Sequence, residues 1–237
     1  MLATRIIPTI LSKNGQLVKG RGFACDRVVG NALQAARIHA MRGVDEIMLL
    51  DVIATKEGRD PDYEMVKKLS ETMYTPLTVG GGVKTEHHVR ELLNAGADKV
   101  CIGTAYLYNP ELITELSSKF GRQCISVSMD VRDKERSLYI SIAAEMLERA
   151  GAGEILLQSV DRDGTMEGYD IGLINSVSEA VSIPVIASGG CSGYEDMYQA
   201  IQAGASAVAA GALFQFTDCT PKGAAEYLKA KGVEVRD

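Results

Sequence analysis

The chain is short of positive charge: 25 Lys and Arg stand against 31 Asp and Glu, a formal net charge of −6. A nucleic-acid-binding surface needs a clustered excess of Lys and Arg, so that class is excluded and any phosphate site has to be local. Long apolar runs are absent too. No stretch of about 18 apolar residues is present to cross a membrane, and the opening MLATRII lacks the basic start and long apolar segment of a secretory signal. The expectation is a soluble, cytoplasmic protein with neither nucleic acid nor membrane as a partner.

Cysteine and histidine are sparse and unordered. The five cysteines, Cys25, Cys101, Cys124, Cys191 and Cys219, are odd in number and scattered, with no CxxC spacing and no nearby histidine. They read as reduced, mostly core thiols. His39 lies in a helical stretch, and His87 and His88 would face different sides of one helix, so the three form no metal set and are expected at the surface. DRDG at 161–164 resembles the start of a calcium loop but lacks the later ligands and the closing Glu. No metal and no cofactor is expected.

Glycine is what the chain has in quantity: 24, against 6 prolines, in a composition 46% hydrophobic and 24% charged. At 237 residues one domain spanning 1–237 is expected, because α/β barrels reach this length around one core. Many of the glycines belong to an internal repeat. PLTVGGGVKTEHHVRELLNAGADKVCIGTAYL, starting at Pro76, returns as PVIASGGCSGYEDMYQAIQAGASAVAAGALF, starting at Pro184. Gly81 and Gly189, Gly82 and Gly190, Gly96 and Gly204, and Gly103 and Gly211 are each 108 residues apart. The same offset carries Gly43 to Gly151, so the chain reads as two related halves.

Each copy reads as an apolar strand, a glycine turn, an amphipathic helix and a second apolar strand. Glycines directly after a strand let backbone N–H groups approach an anion, and the following helix N-terminus adds its positive dipole end. One such copy alone is most simply a tight turn. Two copies suit a substrate with a phosphate at each end.

Taken in order, strands are expected at 5–11, 46–51, 77–79, 99–102, 125–130, 154–157, 184–187 and 207–210. Helices are expected at 31–41, 63–73, 85–95, 110–120, 143–150, 171–181, 195–203 and 222–231. Residues 12–22 read as a polar, mobile glycine loop, and 131–140 as a short charged connection. Eight short apolar strands alternating with eight helices predict a (β/α)8 barrel, with a doubly wound open sheet as the alternative. Barrel chemistry sits at the C-terminal strand ends, which are Leu11, Asp51, the turn at 80–82, Gly103, Thr104, Asp130, Gln158, the loop at 161–164, the turn at 188–190, Gly211 and Ala212.

RIIP at 5–8, LLD at 49–51, VGGGVKT at 79–85, GADKV at 96–100, Asp130, GAGEILL at 151–157, DRDGT at 161–165, IASGG at 186–190 and GVEVR near the C-terminus resemble the cyclase (synthase) subunits of imidazole glycerol phosphate synthase. The likeness covers nearly the whole chain. It implies a (β/α)8 barrel of two half-barrels that takes ammonia from a glutaminase subunit. A bis-phosphorylated ribulosyl substrate would be converted to imidazole glycerol phosphate and an aminoimidazole carboxamide ribotide, in histidine biosynthesis. Carried over position by position, it implies one phosphate at Gly82, Gly103 and Thr104 and the other at Asp163, Gly164, Gly190, Gly211 and Ala212. Lys19 would be the closing-loop lysine, Asp51 would line the substrate site, and Asp130 would be one of two catalytic aspartates. As a residue at a strand end, Asp130 also reads as a helix cap.

Three positions depart from the family pattern, all on the catalytic face. Leu11 stands where the first strand should end in the other aspartate, a short segment after Asp130 replaces the usual hairpin, and Gln158 replaces a small hydroxyl residue. The opposite face keeps Arg5, Glu46, Lys99 and Glu154, which the resemblance implies gate ammonia, and Asp98, implied to contact the glutaminase. Chemically the four charges serve equally as a salt-bridged plug. The leading expectation is the cyclase. A paralogue passing ammonia to an amidotransferase of nucleotide-sugar or surface-polysaccharide synthesis, a phosphosugar isomerase and a non-enzymatic scaffold stand beside it.

Overall fold

The computed structural model describes residues 3–24, 27–132 and 138–236. In chain order the elements are β1 (Arg5–Lys13), β2 (Gln16–Lys19), β3 (Arg27–Asn31), α1 (Ala32–Met41), β4 (Ile47–Asp51), α2 (Ala54–Glu57), α3 (Tyr63–Ser70), β5 (Leu77–Gly80), α4 (Glu86–Asn94), β6 (Lys99–Ile102), α5 (Ala105–Tyr108), α6 (Leu112–Phe120), β7 (Ile125–Val131) and α7 (Leu138–Arg149). They continue as β8 (Glu154–Ser159), α8 (Ile171–Ala180), β9 (Val185–Ser188), α9 (Tyr194–Gln202), β10 (Ala207–Ala210), α10 (Ala212–Phe216) and α11 (Pro221–Ala230). Among the described residues eight strands, β1 and β4 to β10, pair in parallel, and Arg5 lies opposite Ala207 where β1 meets β10 and closes the ring. This is the expected (β/α)8 barrel rather than the open sheet.

Side chains alternate along each strand, so one set fills the barrel and the other meets the helices. Ile7, Met48, Cys101, Leu156, Ile186, Ala207 and Ala209 form the apolar plug inside. Val79, Val100, Val127 and Leu157 point outward into the larger core shared with helix residues such as Val89, Leu92, Leu116 and Val177. Helix starts are capped as their sequences suggest: Asn31, Asp62, Thr85, Asp170 and Thr220 each accept a backbone N–H of the first turn. No helix among the described residues is long and apolar enough to cross a membrane.

Two expectations need correction. Residues 12–22 are not a free loop: β1 runs on to Lys13, turns at Asn14 and Gly15 with φ of 51° and 77°, and returns antiparallel as β2, with Leu17 and Val18 buried. An Asn-Gly pair between strands favours this two-residue turn because both residues tolerate positive φ. The second is α7, which begins at Leu138 and not at 143. The missing-hairpin reading for 131–140 falls largely on 133–137, which lie outside the described residues. Short helices α2, α5 and α10 also follow β4, β6 and β10, where the sequence reading placed only turns.

Candidate active site

The C-terminal ends of the strands surround a cavity of about 410 Å³. Both glycine turns open onto it. Gly81 and Gly82 have φ of 105° and 73°, and Gly189 and Gly190 have 93° and 99°, conformations that favour glycine. A Cβ at Gly81 would stand 2.2 Å from the Asp51 carbonyl oxygen, and one at Gly189 2.4 Å from that of Ser159. Packing alone therefore requires these glycines. Gly82 N donates to Thr55 Oγ1 at 3.3 Å. Gly103 differs, since nothing lies within 4 Å of the Cβ it lacks.

Lys19 supplies the local positive charge. It ends β2 almost fully buried, its Nζ donates to the Thr9 carbonyl at 3.3 Å, and it lies 2.3 Å from where a Gly211 Cβ would be. The cation stands over Gly211 where β10 ends, placed there by the hairpin that the sequence reading took for a loop.

Asp130 lies on the inner face one residue before the end of β7. Its side chain reaches solvent through the cavity mouth, while protein around its other sides raises its pKa above the usual carboxylate range; the Ser128 hydroxyl, donating at 2.7 Å, and Arg132 oppose that rise. Sequence reasoning missed Ser128, although two residues along a strand is the same-face spacing. Among the described residues Asp130 accepts no helix N–H. Asp51 fixes the chain entering α2: its Oδ1 accepts Ile53 N at 3.1 Å and Ala54 N at 3.0 Å, and Arg59 Nη2 lies 3.1 Å from Oδ2. Leu11 and Gln158 also line the cavity, so two of the three departures meet there.

The far end of the barrel is closed by charge. Arg5 Nη1 meets Glu46 Oε2 at 2.6 Å, Arg5 Nη2 meets Glu154 Oε2 at 2.9 Å, and Lys99 Nζ lies 3.1 Å from Glu46 and 3.0 Å from Glu154. Thr78 Oγ1 adds a bond to Glu46 Oε1 at 2.6 Å. Burial would raise the Glu46 pKa, but Arg5, Lys99 and Thr78 together bring it below the ordinary value. Asp98, nearby and exposed, accepts Leu77 N at 2.8 Å, which gives it a structural task at the start of β5.

Histidine placement is a further correction. His87 is exposed, but His39 and His88 are buried, because their helix faces turn inward. His88 Nδ1 lies 3.1 Å from the Gly82 carbonyl and 3.2 Å from Lys84 N, bracing the first glycine turn. His39 is held neutral at pH 7, its pKa lowered to about 4 by burial and by Arg42 and Lys19. Of the cysteines, Cys101 and Cys191 are buried and Cys124 and Cys219 partly so, all free thiols; Cys25 lies outside the described residues.

Comparison with known proteins places this geometry. A family model described as "Histidine biosynthesis protein" matches residues 5–220. The chain is 41% identical over 250 aligned residues to imidazole glycerol phosphate synthase subunit HisF of Dictyoglomus thermophilum, an alignment covering 100% of this chain and 99% of that protein.

Proposed function

The chain belongs to the histidine-biosynthesis protein family, and from that membership we propose that it is the cyclase subunit of an imidazole glycerol phosphate synthase, joining ammonia to a bis-phosphorylated ribulosyl substrate. One observation carries the reading beyond homology. Two glycine turns related by the repeat, a buried lysine and an inward aspartate face one cavity, while a ring of four charges closes the other end of the same barrel.

In this reading Gly82, Gly103 and Thr104 hold one phosphate. Gly164, Gly190, Gly211 and Ala212 hold the other with Lys19 as counter-charge, and Asp163 stands beside it. Asp51 holds the first turn's neighbouring helix in place at the substrate's edge. Asp130, its pKa raised by burial, is placed to accept and return a proton. Because the matched relative is named a subunit, a glutaminase partner is proposed at the N-terminal face, with Asp98 on the docking surface and Arg5, Glu46, Lys99 and Glu154 as the ammonia entrance. Lys99 is the most exposed of the four, its side chain 21% exposed against 15% for Arg5, 7% for Glu154 and 3% for Glu46.

Leu11 favours a second reading, in which the barrel hands ammonia to an amidotransferase of nucleotide-sugar synthesis and cyclises poorly. Purified protein given ammonium salt and the bis-phosphate separates the two. The first reading predicts steady conversion to both products in equal amounts, and the second predicts little or no conversion.

A further inference from the structure

Leu11 leaves the cavity one proton-transfer group short, and few lining side chains can replace it. Among the described residues, those that titrate are Lys19, Asp51, Lys56, Asp130, Asp163 and the two thiols Cys101 and Cys191. Asp51 is committed to two backbone N–H groups and to Arg59. Lys56 is exposed on α2, at the rim. Burial pushes both thiols up to about 12, out of reach of proton exchange near neutrality. Lys19 is a buried cation over Gly211. Asp163 remains, beside Asp130.

Its position is well fixed. Asp163 follows β8 and is partly buried; its carbonyl accepts Gly22 N at 3.0 Å and its carboxylate accepts the Phe23 N–H. A Cβ at the next residue, Gly164, would lie 1.9 Å from the Gly20 oxygen, so the segment after β2 presses directly onto this loop. Among the described residues the charges that act on Asp163 are Lys19 from β2 and Asp130 from β7. Neighbouring charges are engaged elsewhere: Asp161 pairs with Arg132 at 3.3 Å, and Arg162 Nη1 turns to the Gly168 carbonyl at 3.1 Å.

We propose that Asp163 is the second proton-transfer group of this cavity, supplying the acid that Leu11 cannot and working with Asp130 as base. The proposal rests on the cyclase reading. Burial holds the Asp163 carboxyl above the usual range against the opposing pull of Lys19, and a phosphate at the adjoining Gly164 and Gly211 adds negative charge that raises it further. Both effects favour the protonated form of Asp163, the form that can act as the acid.

Condensation of ammonia with the substrate ketone then balances. As the C–N bond forms, the carbonyl π pair moves to oxygen, which takes the Asp163 proton, and Asp130 takes a proton from nitrogen. Asp130 next returns its proton to the hydroxyl, which leaves as water while the nitrogen lone pair closes the C=N bond. The resulting iminium gives one proton to Asp163, and both carboxyls are reset.

Ammonium-dependent turnover of the wild type, Asp163→Asn, Leu11→Asp and the double variant provides the test. Asp163→Asn should lower kcat about 10²-fold or more with KM little changed, and in the Leu11→Asp background the loss should shrink to less than about tenfold. A rise in KM alone, equal in both backgrounds, overturns the proposal. If neither the wild type nor Leu11→Asp turns over, the cyclase reading falls and a second measurement decides. Calorimetric titration with inorganic sulfate, in two buffers of different ionisation enthalpy near pH 5, about one unit above an ordinary carboxylate, counts protons taken up. Uptake by the wild type that Asp163→Asn abolishes sustains Asp163 as the acid, and no uptake, or equal uptake by both, overturns it.

Discussion

Replacing Lys99 by methionine separates a gate from a plug. Methionine keeps the apolar stem but removes the ammonium that bridges Glu46 and Glu154, leaving Arg5 as the ring's one cation against two carboxylates. Removing one partner of a fully buried pair costs about 3–5 kcal/mol. Arg5 still touches both carboxylates and Lys99 is 21% exposed, so the expected cost is smaller, about 1–3 kcal/mol. At this chain length that corresponds to a Tm drop of roughly 2–12 °C. The cost should depend on pH in a definite direction. Glu46 has a folded pKa below its ordinary 4.5, so the stability it contributes is present above that value and is lost as pH falls through the folded pKa. The Tm gap between wild type and Lys99→Met should therefore narrow below about pH 4.5. With a glutaminase present, glutamine-dependent product formation should change several-fold while ammonium-dependent formation stays within twofold. Equal change in both activities would refute the gate and leave a plug.

Leu11→Asp restores a carboxylate to the cavity wall and should raise ammonium-dependent turnover, by at most about 10²–10⁴-fold; steady-state kinetics on the two proteins would show it. Gly103→Ala adds a methyl group into open space, so the melting temperature should hold while affinity for inorganic phosphate falls, measured by calorimetry. Lys19→Met removes the cation over Gly211 and should weaken phosphate binding; because Lys19 lowers the Asp163 pKa, that pKa should also rise, seen as a shift of the carboxyl resonance during NMR titration.

The barrel was legible because its evidence is periodic. Gly81 and Gly189, or Gly103 and Gly211, recur at one spacing, and their strands end where the chemistry has to be. Asp130 and the ring charges were legible for the same reason, as polar residues at the two ends of apolar runs. Other parts depend on contacts between distant segments. Lys19 reaches Gly211 only because the Asn14 and Gly15 turn folds β2 back along β1, a hairpin signal overlooked among the surrounding polar residues. His39 and His88 were placed outside because helical spacing alone does not say which face meets the barrel. Asp98 looked functional from position, yet it accepts the Leu77 N–H, which only the folded register brings near; Asp51 is held locally, by the N–H groups of Ile53 and Ala54.

The central claim is that nitrogen enters at the charged base and reacts at the opposite mouth. The direct measurement gives the complex with its glutaminase amide-¹⁵N glutamine in a large excess of unlabelled ammonium, and reads the isotope in the imidazole product. The account predicts product labelled from glutamine despite the excess outside. Product labelled only in proportion to the bulk ammonium pool would contradict it.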